Sequence, residues 1–105
     1  MEPVLFDAIA DPTRRALLDR LRAGGAQSVT ELSTGLPMTR QAVTKHLDAL
    51  AAAKLVRVRR QGRERLHELD AQPLREVDAW LRPYAEAWDR RLDALRKHLG
   101  EETPE

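Results

Sequence analysis

The chain of 105 residues contains no cysteine. That excludes disulfides, thiolate metal sites and a cysteine nucleophile, and it fits a reducing compartment. Aromatic residues are scarce at 4%, one Phe, one Tyr and two Trp, so the core must be built mainly from Leu, Val, Ile and Ala. No apolar run approaches the roughly 18 residues that span a bilayer, and no signal-peptide pattern opens the sequence. The expectation is a cytoplasmic protein without a membrane partner. Gly24-Gly25 lacks the Lys-Ser/Thr that a phosphate loop requires. The three histidines, His46, His67 and His98, are too scattered to converge on a metal. No nucleophile, base and orienting group are placed together. An enzyme is not expected, nor is a metal or other cofactor.

Charge of one sign is also lacking overall, since the net charge is only +1. Along the chain, however, it is segregated. Residues 39–65 hold eight basic side chains (Arg40, Lys45, Lys54, Arg57, Arg59, Arg60, Arg63, Arg65) against Asp48 and Glu64, a local +6 beside −5 for the remainder. Attraction to a polyanion depends on local charge, so this segment is a candidate nucleic-acid face. A solvated Arg-rich loop would show the same composition.

The periodicity is mainly helical. Pro3 to Ala10 places Val4, Leu5, Ala8 and Ile9 on one side of a short helix, with Phe6 a further candidate for burial. Asp11 as N-cap and Pro12 at the first position begin a second helix, with Leu17, Leu18 and Leu21 inward, that Gly24-Gly25 ends. Ser28-Val29-Thr30-Glu31 has capping-box spacing and starts a third helix, carrying Val29 and Leu32 inward and ending near Gly35. Thr39 caps a fourth helix to about Ala53, with Val43, Leu47 and Leu50 toward the core. At 100° per residue Gln41, Thr44, Lys45 and Asp48 fall on its outer half, Arg40 lies at its exposed N-terminal end and His46 lies nearer the buried side.

The period then changes to two. Leu55-Val56-Arg57-Val58-Arg59 and Arg65-Leu66-His67-Glu68-Leu69, separated by a turn containing Gln61-Gly62, read as a hairpin with arginine at its tip and His67 at the surface. Asp70 caps a last helix in which Leu74, Val77, Leu81, Tyr84, Trp88, Leu92, Leu95 and Leu99 form a seam of about seven turns, bent or broken at Pro83, with His98 in its last turn. The rest of a small domain cannot cover such a seam, which favours self-association over an intramolecular core. Trp80, Tyr84 and Trp88 fit either a dimer core or the lining of an effector pocket. Residues 1–99 are expected to form one domain and 100–105 a flexible acidic tail.

Short helix, turn, longer helix with a polar outer face and Arg-tipped hairpin is the order of a winged helix-turn-helix. A helix fits the major groove, where Gln and Arg read base edges, and a neighbouring hairpin reaches phosphates or the minor groove. At this point the sequence resembles the ArsR/SmtB winged-helix repressors over roughly residues 4–99. The resemblance rests on Ala10-Asp11-Pro12-Thr13-Arg14-Arg15, Ser28-Val29-Thr30-Glu31-Leu32, Met38-Thr39-Arg40-Gln41-Ala42-Val43-Thr44-Lys45-His46-Leu47 and the Leu55-Val56 start of an Arg-rich wing.

The resemblance implies a mainly α fold with a small β-hairpin, long N- and C-terminal dimerisation helices, and a homodimeric bacterial repressor on a palindromic operator, often that of its own promoter. Thr39, Arg40, Gln41, Thr44, Lys45 and His46, with Arg57, Arg59, Arg60, Arg63 and Arg65 of the wing, are the expected contacts to double-stranded DNA. Val4 and Leu5 join the C-terminal seam as the expected dimer interface. Many metal-sensing members carry Cys-Val-Cys where this chain has Ser28-Val29-Thr30, and others carry Asp-x-His in the last helix where Asp78 is followed here by Ala79-Trp80. Neither set of ligands is present, and the effector is not legible. The alternative reading is a helical protein-interaction module whose winged helix no longer binds DNA.

Overall fold

Element boundaries follow the capping signals closely. In the computed structural model, which describes residues 3–100, α1 spans Pro3–Ala10, α2 Pro12–Gly24, α3 Val29–Ser33, α4 Arg40–Ala52, β1 Val56–Gln61, β2 Glu64–Leu69 and α5 Gln72–His98. The Asp11 carboxylate accepts from the Arg14 N–H at the start of α2. Ser28 and Glu31 close a reciprocal capping box on α3, and the Thr39 hydroxyl accepts from the Ala42 N–H on α4. Of the expected tail only Gly100 lies among the described residues.

Residues 3–74 form one unit and the remainder of α5 a second. The first is centred on Leu17, Leu32, Val43, Leu47, Leu50 and Leu55, all essentially without exposure. Such a leucine core is close-packed, so it fixes how α4 is seated on α2 and α3. Helix α4 ends in a Schellman motif. The Leu55 N–H reaches the Leu50 carbonyl and the Lys54 N–H that of Ala51, with Lys54 left-handed at φ 64°.

The wing is a two-stranded antiparallel hairpin paired from Val56↔Leu69 to Gln61↔Glu64. Its Gly62-Arg63 loop uses Gly62 at φ 65°, the sign a tight hairpin turn demands. Gln27 and His67 exchange both backbone hydrogen bonds (2.9 and 2.8 Å), which pins the wing to the segment before α3.

Several sequence expectations are corrected. His67 is buried at 6% exposed, because its bridge to Gln27 draws that part of β2 inward. Phe6 is exposed, while Leu5 lies buried in the chain's own core and so departs from the interface expected for it. Val29 is only half-buried. As expected of a cap, the Asp70 carboxylate accepts from the Gln72 N–H at the start of α5, while its own N–H donates to the Leu55 carbonyl. The helix continues unbroken through Pro83, and none of its residues is buried.

Candidate nucleic-acid interface

Thr39 caps α4 and fixes where its first turn begins. From that start Arg40, Gln41, Thr44, Lys45 and Asp48 all emerge exposed, while Val43, Leu47 and Leu50 hold the opposite side in the core. The long, flexible side chains therefore stand on a backbone that is itself rigid, which lets a helix read base edges at hydrogen-bond precision. His46 is half-buried on the flank, its Nδ1 accepting from Arg14 Nε at 3.3 Å. It lies apart from the exposed face that its neighbour Lys45 shares.

The wing arginines fall into two groups that sequence alternation alone did not separate. Arg57 and Arg59 are paired with acidic side chains, Arg57 with Glu68 (4.0 Å) and Asp70 (3.9 Å) and Arg59 with Glu68 (3.6 Å). Arg60 and Arg65 stand directly opposite one another across the strands, and Arg63 occupies the turn. Among the described residues none of these three has a carboxylate within ion-pair distance. Like charges placed directly opposite in a hairpin destabilise it, by about 0.2 to 1 kcal/mol. A phosphate between them removes that cost.

Behind this surface lies a buried imidazole. His67 Nδ1 has no hydrogen-bond partner. Burial holds the His67 pKa below the usual imidazole range and the Arg65 charge adds to the effect, while the Gln27 backbone and the Asp48 carboxylate oppose it. The group is thus kept neutral, and the hairpin root rests on uncharged packing. At the start of α2 the Arg14 N–H, the largest influence, holds the Asp11 carboxyl below its ordinary range.

Arg14 and Arg15 tie α2 to neighbouring helices. Arg14 Nη1 donates to the Asp7 carbonyl, and Arg15 Nη1 donates to those of Ile9 and Ala10, supplying partners for the C-terminal carbonyls of α1. Arg20 does the same for Leu32 and Thr34 at the end of α3. A basic residue following a helix end by several positions is the sequence signal for the Arg14 and Arg15 contacts, although only the fold selects the carbonyls; Arg20 precedes α3 and carries no such signal. No group of three or more His, Asp or Glu side chains suited to a metal occurs among the described residues. No helix among them is long and apolar enough to cross a membrane.

Comparison with known proteins agrees with this geometry. A helix-turn-helix domain family matches residues 9–59. The HTH-type transcriptional regulator Rv2034 of Mycobacterium tuberculosis is 46% identical over 65 residues, 62% of this chain and 60% of that protein, so the chain spans less than two thirds of that relative's length. The transcriptional repressor SdpR of Bacillus subtilis is 29% identical over 73% of this chain and 84% of its own. Among solved structures, an ArsR-like transcriptional regulator from Rhodococcus sp. RHA1 is 38% identical with a TM-score of 0.69, covering 90% of this chain and 88% of that one. A homodimeric winged helix-turn-helix DNA-binding domain from Mycobacterium bovis is 25% identical with a TM-score of 0.62, covering 79% and 76%. With its helices, its wing and its sequence in agreement, the chain belongs to the ArsR family of winged helix-turn-helix transcriptional regulators.

Proposed function

We propose that the protein is a cytoplasmic, sequence-specific transcriptional repressor that binds a palindromic operator, including that of its own promoter, as a two-fold homodimer. The observation that carries this reading is the exposed Arg40, Gln41, Thr44 and Lys45 face of α4, accompanied by a wing with opposed, uncompensated arginines. Arg40, Gln41, Thr44 and Lys45 meet base edges and adjacent phosphates in the major groove, with the Thr39 hydroxyl at the cap. Arg60, Arg63 and Arg65 meet phosphates. Arg57 and Arg59, held by Glu68 and Asp70, chiefly orient the wing. His46 acts from the flank.

Dimerisation is supported by apolar surface that the chain leaves open. Val4 on α1 and Leu81, Tyr84, Trp88, Leu95 and Leu99 on α5 are exposed. On α5 these residues, with Val77 and Leu92, form a surface that a second copy covers; Val4 and Leu74 of the first unit offer it further apolar contacts. Two-fold pairing sets the two α4 helices to successive major grooves, about 34 Å apart.

The test is fluorescence anisotropy on a duplex from the gene's own upstream region beside a scrambled duplex, across a salt series. Operator binding tighter by roughly 10³-fold or more, with log affinity falling steeply against log salt, is the expected result. Gln41→Ala should cost about 1 to 3 kcal/mol on the operator and little on scrambled DNA. Equal, weak binding to both duplexes would overturn the repressor reading in favour of a protein-pairing module.

A further inference from the structure

Arg14 touches two helices besides its own. Its Nη1 donates to the Asp7 carbonyl of α1 at 3.1 Å and its Nε donates to His46 Nδ1 of α4 at 3.3 Å. The backbone N–H of the same residue donates to Asp11 Oδ2 at 3.0 Å, and that oxygen lies 3.9 Å from His46 Nδ1. His46 Nδ1 therefore stands between two groups with opposite requirements. Guanidinium has no acceptor, so the Arg14 bond needs Nδ1 bare, with the imidazole proton on Nε2. The Asp11 carboxylate has no donor, so it holds Nδ1 only when that nitrogen is protonated.

His46 is one residue from Lys45, two from Thr44 and five from Gln41, on the same helix. A bond from α2 to the flank of α4 adds a polar tie to the core contacts that seat this helix, and it trims the roll of α4 about its axis. Side-chain tips lie about 5 to 6 Å from a helix axis, so a roll of about 10° moves them by roughly 1 Å. A bidentate base contact tolerates only a few tenths of an ångström around 2.9 Å. A phosphate contact made by a flexible arginine tolerates the shift.

We propose that His46 is a positioning residue for operator discrimination. Unprotonated, it accepts from Arg14 and holds α4 in its reading orientation; protonated, it exchanges Arg14 for Asp11 and discrimination falls. The inference rests on the DNA-binding reading above. Other charged groups on the elements packed here are Asp7 on α1, whose carbonyl accepts from Arg14, Arg15 on α2, which is engaged by the Ile9 and Ala10 carbonyls, and Lys45, the residue before His46 on α4. On the remaining elements packed against α4, the Glu31 carboxylate of α3 is engaged by Ser28 N–H and Arg57 of β1 is paired with Glu68 and Asp70. Asp11 is the one carboxylate within 4.0 Å of His46 among the described residues. A proton added here also brings positive charge toward DNA, which raises affinity for every sequence. The ratio of operator to random affinity therefore isolates the positioning effect.

The experiment measures that ratio by anisotropy from about pH 8 to about pH 5.5 at constant ionic strength. The operator probe is a duplex enriched from a random-sequence pool by the wild-type protein at the upper pH. The wild-type ratio should fall by about tenfold toward the acid end, the loss of roughly one base contact. His46→Asn offers Arg14 a carbonyl acceptor at the position of Nδ1 that does not titrate. It should keep the upper-pH ratio and lose the pH dependence, although His67 is still present. His46→Ala should show the reduced ratio at every pH, with circular dichroism confirming an intact fold. A flat wild-type ratio, a His46→Asn profile that still falls like the wild type, or a wild-type ratio in His46→Ala would each overturn the proposal while leaving DNA binding intact. Failure of the wild-type protein to enrich any duplex would overturn the DNA-binding reading, and this inference with it.

Discussion

Arg60→Glu should make the chain more stable and a poorer DNA ligand at once. Arg60 stands directly across the hairpin from Arg65, so the substitution turns a like-charge cross-strand pair into an attractive one. Each sign of such a pair is worth about 0.2 to 1 kcal/mol, which makes the full swing roughly 0.5 to 2 kcal/mol. Both side chains are exposed. Solvent screening therefore places the gain in the lower half of that range, about 0.5 to 1 kcal/mol. For a domain of this size that raises Tm by roughly 2 to 6 °C at fixed chain concentration. On DNA the same change removes a phosphate contact, lowering the slope of log affinity against log salt by about 0.9 on operator and scrambled duplexes alike. Thermal melting by circular dichroism gives the first number and an anisotropy salt series the second. Arg60→Gln should give about half the stability gain, and the gain of either variant should shrink in high salt. A lowered Tm, or an unchanged salt slope, would refute the view that the hairpin carries repulsion for the benefit of a polyanion.

Three further outcomes follow from the fold. Leu50→Ala, at a fully buried position of α4, should cost about 2.7 to 5 kcal/mol in urea unfolding, and a cost below 1 kcal/mol would contradict the core described. The His67 pKa is lower in the folded chain than in the unfolded one, so its contribution is fully present above the unfolded imidazole range and is lost as pH falls through it. The urea midpoint should thus drop from about pH 7.5 to about pH 5.5, and His67→Gln should flatten that drop; an unflattened drop would assign it elsewhere. Lys54→Gly should raise stability by about 1 kcal/mol by relieving a left-handed side-chain position, and a fall in Tm would show that the Schellman geometry depends on the lysine.

The helices and wing were legible because their signals are local. Asp11, Ser28 and Thr39 cap within three residues, and Val43, Leu47 and Leu50 repeat at the helical period. The exposed face of α4 followed from the same arithmetic. What was hidden depends on partners distant in sequence. His67 looks like a surface strand residue until Gln27, forty positions earlier, bridges it. The division of the wing arginines required the register that sets Arg57 against Glu68 and Arg60 against Arg65. Strand alternation assigns faces without revealing which partner waits there. The guanidinium groups of Arg14 and Arg15 serve α1 and α4 through atoms that no local pattern specifies.

Helix α5 runs for 27 residues with a proline inside it and buries none of them. A helix so placed gains little from its own chain, and with a second copy as its cover its order becomes a matter of abundance. In dilute conditions the paired species grows as about the square of the chain concentration, so halving the pool leaves roughly a quarter of it. Under the proposed dimeric repression, synthesis, dilution by growth and proteolysis would then act on repression with doubled sensitivity.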